Sequence, residues 1–184
     1  MQRSHLVLVL GMSSLIAACA GGPFERSAGN PPSPEPAVLA AGEGEKLRFR
    51  DGRSVLLKVT REGTGAQDLL LGSETLPPGT AIPVHSHDGY EEIIFIHEGN
   101  AELTLGERTI RAEPGTTMYI PPGTWHGVKN ADSGRTTMLF IFPETDIADF
   151  FRSVGQHEGK EPPQLTAEDW AEIMKRHQMR SPSD

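Results

Sequence analysis

The chain predicts an all-β fold, an antiparallel sandwich or barrel followed by two helices at its C-terminal end. Two observations point to the strands. Between Lys46 and Phe142 the apolar residues fall in short or alternating runs broken by turn residues. Glycine (20) and proline (15) are frequent among 184 residues, which favours many turns over a helical bundle. A third observation sets the helices apart, because helical spacing of apolar residues is confined to residues 146–184. A hydrophobic fraction of 36% supplies one compact core rather than two.

In chain order, residues 1–18 stand outside that fold. MQRSHLVLVLGMSSLIAAC has a basic start at Arg3 and an apolar stretch from Leu6 to Ala18. The stretch is shorter than the roughly 20 residues of a spanning helix, so it reads as a secretory signal. Ile16-Ala17-Ala18-Cys19 resembles a bacterial lipoprotein processing box, whose cysteine becomes the lipidated first residue. The plainer alternative is an ordinary signal peptide with an incidental cysteine. Cys19 is the sole cysteine, so it has no internal disulfide partner. Ala20, in place of an aspartate, resembles lipoproteins passed on to the outer membrane. The expected location is therefore the cell envelope, lipid-anchored, facing the periplasm where the host has two membranes. Residues 19–44 are rich in Pro, Gly, Ala and Ser and read as a tether, with Ala37-Val38-Leu39 as the only piece apolar enough to lie on a domain.

Residues 45–145 carry the strands. KLRFRDGRSVLLKV is two runs joined at Asp51-Gly52, a hairpin signal. LLLGSETLPPGTAIPV follows, then a long series with turns at Glu98-Gly99-Asn100 and Leu105-Gly106-Glu107, and RTTMLFIF closes it. Residues 146–184 form a helical extension. TDIADFFRSVG and LTAEDWAEIMKRH read as helices, the second with Thr166 as N-cap and Asp169 three positions on. Trp170, Ile173, Met174 and His177 share one face, expected to pack against the barrel. The net charge of −8 and the lack of any Lys/Arg cluster argue against a nucleic-acid partner.

The chemistry concentrates in two segments. The first, Gly79 to Gly99, contains His85, His87, Glu91 and Glu92; the second, Gly115 to Asn130, contains Pro121, Gly123 and His126. On a strand His85 and His87 share a face, and so do Glu92, Ile94 and Ile96. Imidazoles with a carboxylate suit a divalent transition metal, and His126 from a second hairpin would complete three histidines and one carboxylate. Either Glu92 or, where a bulge turns the strand, Glu91 would supply the carboxylate. His97, His157 and His177 read as surface or packing residues.

Together the segments resemble the paired motifs of the cupin superfamily. Gly79, His85, His87, Glu92 and Gly99 match the first; Gly115, Pro121, Gly123, His126 and Asn130 match the second. The resemblance implies a double-stranded β-helix, or jelly-roll, barrel. It implies one divalent transition metal (Fe, Mn, Zn, Ni or Cu) on His85, His87, Glu92 and His126. It also implies a small-molecule substrate or ligand and, by analogy, a homodimer. Met118, Ile120, Trp125, Met138 and Phe140 are candidate pocket walls, although a small barrel needs such residues for packing anyway. The expected activity is oxidoreduction of dioxygenase type, with no separate general base identified. The competing reading is a cupin that binds or senses a small molecule or metal without turnover. A structural or interaction role has only the C-terminal helices in its favour.

Overall fold

The computed structural model describes residues 32–143 and 146–182. The signal segment, Cys19 and the first part of the tether lie outside the described residues. From residue 32 to the first strand there is no helix or strand, and Val38 is 98% exposed. The end of this segment nonetheless lies against the domain, because Lys58 Nζ donates to the carbonyls of Ala40, Ala41 and Glu43.

Strands β1 (Glu45–Arg48) and β2 (Ser54–Val59) form the expected hairpin. Its turn closes through Gly52 N–H to Phe49 O at 3.1 Å and Asp51 Oδ1 accepting from Arg53 N at 3.1 Å. A four-residue helix, α1 (Arg61–Thr64), follows. The sequence carried no periodic signal for it. It is set by its ends instead, with Thr60 Oγ1 accepting from Gly63 N and Gly65 in the left-handed region. Then come β3 (Leu70–Leu76), β4 (Ala81–His87), β5 (Glu92–Glu98), β6 (Ala101–Leu105), β7 (Arg108–Ala112), β8 (Thr117–Ile120), β9 (His126–Asn130) and β10 (Thr136–Phe142). The C-terminal extension contributes α2 (Ile147–Val154), β11 (Gln156–His157), α3 (Ala167–Arg176) and β12 (Met179–Arg180).

All strand pairs are antiparallel. One sheet runs β11-β1-β2-β3-β10-β5-β8 and the other β12-β4-β9-β6-β7, which makes an all-β jelly roll. Alternation explains the two-faced strands: β3 and β10 bury every second side chain, and β5 turns Glu92, Ile94 and Ile96 inward and Ile93 and His97 outward. Leu47, Leu57, Leu70, Leu76, Ile96 and Phe140 are among the fully buried side chains of the core.

The extension does more than the two helices read from it. Its short strands β11 and β12 add one strand to an edge of each sheet, on β1 and β4. Two-residue bridges have no periodicity to read in advance. Helix α2 buries Ile147, Ala148, Phe151 and Val154, and Phe151 stacks on Phe140 at 4.9 Å between centroids. Helix α3 starts in the expected capping box, Thr166 N donating to Asp169 Oδ2 and Asp169 N to Thr166 Oγ1. Its stripe is only partly buried, a correction to the packing expectation. Ile173 is in the core and Met174 packs against it, whereas Trp170 is 41% exposed. His177 sits at the helix C-cap with its ring against Phe150. Among the described residues no helix is long and apolar enough to cross a membrane.

Candidate metal site and its cavity

The two histidine segments meet because β4 pairs with β9, and the pairing brings His85 opposite His126. The proline-containing turn before β9 is tied to the first segment by Gly123 N–H donating to His87 O at 2.7 Å. Gly123 holds φ at +74°, a conformation that side-chain-bearing residues rarely adopt. At the far end of β5, Gly99 has the same φ of +74°, and a Cβ there would stand 2.5 Å from Arg135 O. These two motif glycines are therefore backbone requirements, not ligands. Asn130 is likewise structural: its Nδ2 donates to Leu76 O and Gly134 O, each at 2.8 Å, and its Oδ1 accepts from Asp132 N.

The imidazoles of His85, His87 and His126 converge, with one candidate ligand atom from each within 4.8 Å of the others. Each ring's Nδ1 faces a backbone carbonyl: His85 to Pro83 O at 2.9 Å, His87 to Tyr90 O at 3.1 Å and His126 to Thr124 O at 2.9 Å. A carbonyl only accepts, so Nδ1 carries the hydrogen, and a ring in its neutral form presents the lone pair of Nε2. Glu92 Oε2 lies 3.1 Å from His87 Nε2 and 3.2 Å from His126 Nε2. His87, Glu92 and His126 are buried, and His126 Nε2 is without a hydrogen-bond partner among the described residues. Lone pairs aimed at a buried carboxylate repel unless a positive charge stands among them. This donor set fits a divalent transition metal.

Burial pushes the His85 imidazole down to about 4, with the neighbouring His126 acting the same way, so the ring is neutral at physiological pH. For Glu92 burial acts upward, but hydrogen bonds and positive charge from His126 and His87, in the place a metal cation would take, outweigh it and hold the carboxyl below the usual range. The Glu91 alternative is placed elsewhere. It is exposed and accepts a hydrogen bond from Tyr119 Oη at 2.7 Å. Of the remaining histidines, His97 is exposed and His157 pairs with β1, its Nε2 3.5 Å from Glu45 Oε1.

The cluster opens on a cavity of about 630 Å³ enclosed by both sheets, α2 and α3. A volume of this size holds a small organic molecule. Its walls are mainly apolar, with Ile94, Met138, Phe140, Phe142, Phe151 and Trp170 prominent. Two of the five expected wall residues, Met138 and Phe140, are there. Met118 and Ile120 are buried in the core but do not line the cavity, because β8 is the edge strand beyond β5. Trp125 is absent from the wall too; its ring packs under the Arg180 guanidinium, 5.5 Å from the centroid.

Residues 72–142 match the family model described as the cupin domain. A protein named polyketide synthase CurC, from Streptomyces cyaneus, is 32% identical over 109 residues, 57% of this chain and 68% of the relative. The chain belongs to the cupin superfamily. Quercetin 2,3-dioxygenase from Bacillus subtilis is 33% identical to this cupin over 126 residues, 65% of the chain and 35% of the enzyme. An uncharacterized protein of Methanocaldococcus jannaschii is 31% identical over 83 residues, 39% of the chain. The cupin thus spans 66% of that archaeal relative's length and about a third of the dioxygenase's. Among solved structures, KdgF from Halomonas sp. aligns with a TM-score of 0.54 at 18% identity, over 61% of this chain and 99% of its own. A structure described as a predicted oxalate decarboxylase from Thermotoga maritima gives 0.53 at 19%, over 58% and 97%. Both likenesses speak to the fold alone.

Sequence reasoning passed over several residues of this cupin's cavity. Phe150, Phe151 and Trp170 line it from the C-terminal extension, where helical periodicity reads as packing. Arg53 and Glu74 line it as well, and Glu74 is 3% exposed. A signal for Glu74 existed: in β3 it takes an inward position between Gly72 and Leu76, where a small barrel wants an apolar side chain.

Proposed function

We infer that this cupin is a metal-dependent oxidoreductase of dioxygenase type, acting on a small, largely apolar organic molecule. The observation that carries the reading is the convergence of three Nε2 lone pairs and one buried carboxylate at the wall of an apolar cavity. His85, His87, Glu92 and His126 would hold the metal. A divalent transition metal there supplies Lewis acidity and, for a redox-active ion, electron transfer with an oxidant such as dioxygen.

The chain's own residues do the rest. The backbone carbonyls of Pro83, Tyr90 and Thr124 lock the three rings in the tautomer that a metal needs. The stacked Tyr90 ring, 4.5 Å from His87, and Phe142 hold that histidine in place. Phe140, Phe151 and Trp170 exclude water and orient a flat ligand. Sequence similarity to quercetin 2,3-dioxygenase supports the oxygenase chemistry.

The test is metal content, measured on protein purified without a metal-affinity tag beside a His87→Ala/His126→Ala double variant. About one transition metal per chain, lost in the variant, is expected; no metal after reconstitution with Fe(II), Mn(II), Zn(II), Ni(II) and Cu(II) overturns the reading. Oxygen consumption with catechols and flavonols then separates turnover from binding alone. A ligand that raises thermal stability and is recovered unchanged assigns the cavity to binding or sensing. The reading includes a lipid anchor on Cys19 in the cell envelope, supported by the processing box around it. Palmitate labelling that is lost in Cys19→Ser is the expected result, and labelling that persists overturns it.

A further inference from the structure

The cavity has a second polar group that the metal reading does not use. Glu74 Oε1 accepts from Arg53 Nη1 at 2.9 Å, and Arg53 Nε donates to Asp51 Oδ2 at 2.6 Å. The Arg53 guanidinium lies over the Phe49 ring, 5.2 Å from its centroid, which fixes its plane. Two atoms are left over. Glu74 Oε2 and Arg53 Nη2 have no hydrogen-bond partner among the described residues, although Glu74 is almost wholly buried and both residues line the cavity. Burial raises the Glu74 carboxyl to about 7 despite the opposing Arg53 charge, and the charges of Asp51 and, across the cavity, Glu92 add to the rise.

This group stands away from the histidines along the sheet. Glu74 pairs with Met138, and Met138 with Ile96, four residues beyond Glu92 on β5. At about 3.3 Å per residue that is about 13 Å along the strand direction. The wall between is apolar, with Ile94, Met138 and Phe140 on it. A ligand filling the cavity would have a polar contact at each end and hydrocarbon between.

The leftover atoms decide what chemistry suits the second end. An anionic head would meet one guanidinium already shared by two carboxylates, so charge disfavours it. A plain hydrocarbon filling the cavity would cut this donor and this acceptor off from water without giving either a partner. A hydroxyl answers both, accepting from Arg53 Nη2 and donating to Glu74 Oε2.

We propose that Arg53 and Glu74 form a hydroxyl-recognising subsite, and that the cavity selects elongated, neutral aromatic ligands with a hydroxyl at the end away from the histidines. The proposal deepens the metal-dependent reading by naming its substrate class, yet the subsite does not need the metal. Its test therefore uses the metal-free full chain, so that failure to load metal and failure of the subsite remain separate results.

The probes are 4-hydroxybiphenyl, biphenyl and biphenyl-4-carboxylate, followed by quenching of tryptophan fluorescence, since Trp170 lines the cavity. The hydroxyl compound is expected to bind at least about tenfold tighter than biphenyl, the scale of one buried polar group gaining its partner, and the carboxylate weakest. In Glu74→Leu the preference for the hydroxyl should fall to about threefold or less, with biphenyl affinity unchanged. Glu74→Gln should keep most of the preference, because the amide oxygen accepts at the same point. Equal binding of hydroxyl and hydrocarbon, tightest binding of the carboxylate, or a preference that survives Glu74→Leu would overturn the proposal. Where Glu74→Leu no longer binds biphenyl, and so has lost the cavity, the ranking by the native chain decides.

Discussion

Glu92 and Glu74 are both carboxylates at inward positions of the seven-stranded sheet, both almost fully buried, and both line one cavity. They are pushed in opposite directions. Glu92 stands among imidazoles and is held below the ordinary carboxylate range; Glu74 stands beside an arginine and is raised to about 7. The presence of a cation does not explain the difference, since Glu74 has the permanent one. What differs is how the positive groups are shared. Arg53 divides its donors between Asp51 and Glu74, so Glu74 keeps an unpaired oxygen in an apolar wall. Glu92 places one oxygen against the Nε2 atoms of two rings, whose hydrogen bonds and positive charge act on it together. The direction is thus set by whether hydrogen bonds and charge outweigh burial: those of His126 and His87 do so for Glu92, whereas Arg53, opposed by the charges of Asp51 and Glu92, does not for Glu74.

The largest effect should separate the two carboxylates by metal. Glu92→Gln is expected to lower metal affinity at least about tenfold, whereas Glu74→Gln leaves metal content near that of the native chain. Elemental analysis after equilibration with limiting metal reads the difference, and equal loss in both variants would dissolve the contrast.

A third buried carboxylate offers a control on pairing. Glu45 Oε2 accepts from both Nε and Nη2 of Arg152, at 3.0 and 2.8 Å, and Arg152 also reaches Glu62 and Asp149. Arg152→Ala would strand Glu45 and unpin α2 from β1, so denaturant unfolding should show a loss of about 3–5 kcal/mol. A loss under about 1 kcal/mol would mean that this pair does not anchor the extension.

For Glu74 the contrast has a pH signature. Its folded value is above the ordinary 4.5, so the native state holds more protons than the unfolded chain between about 4.5 and 7. Stability contributed by the protonated group is full below that window and is lost as pH rises through it, by up to about 3 kcal/mol. Glu74→Gln should flatten the stability profile across the same window while Arg53 and Asp51 remain. An unchanged slope would show that Glu74 ionises freely in the fold. The smallest effect concerns the lid over this cavity: Thr166→Ala removes the cap of α3 and should cost about 1 kcal/mol, read as a lower thermal midpoint.

Much of the fold and of the histidine site was legible residue by residue. Alternation placed His85 with His87 and Glu92 with Ile94 and Ile96, because a strand repeats every two residues whatever packs on it. The Asp51-Gly52 hairpin and the Thr166 capping box are local chemistry as well, decided within a few residues of the chain. The pocket walls were not legible in that way. Met118, Ile120, Met138 and Phe140 are equally apolar and equally buried, and only the order of strands puts two of them on the cavity and two elsewhere. Trp170 sits on a helical stripe that reads as packing, yet it lines the chamber because α3 lies across its opening.

By itself, then, the sequence determined strand alternation, turns, caps and the pair of motifs, all of which depend on neighbours along the chain. Only the tertiary structure decided that Arg53 and Glu74, 21 residues apart, would meet inside the barrel with one donor and one acceptor left over. The physical reason is that burial and unsatisfied polarity belong to a volume enclosed by several strands, and no single segment carries that volume.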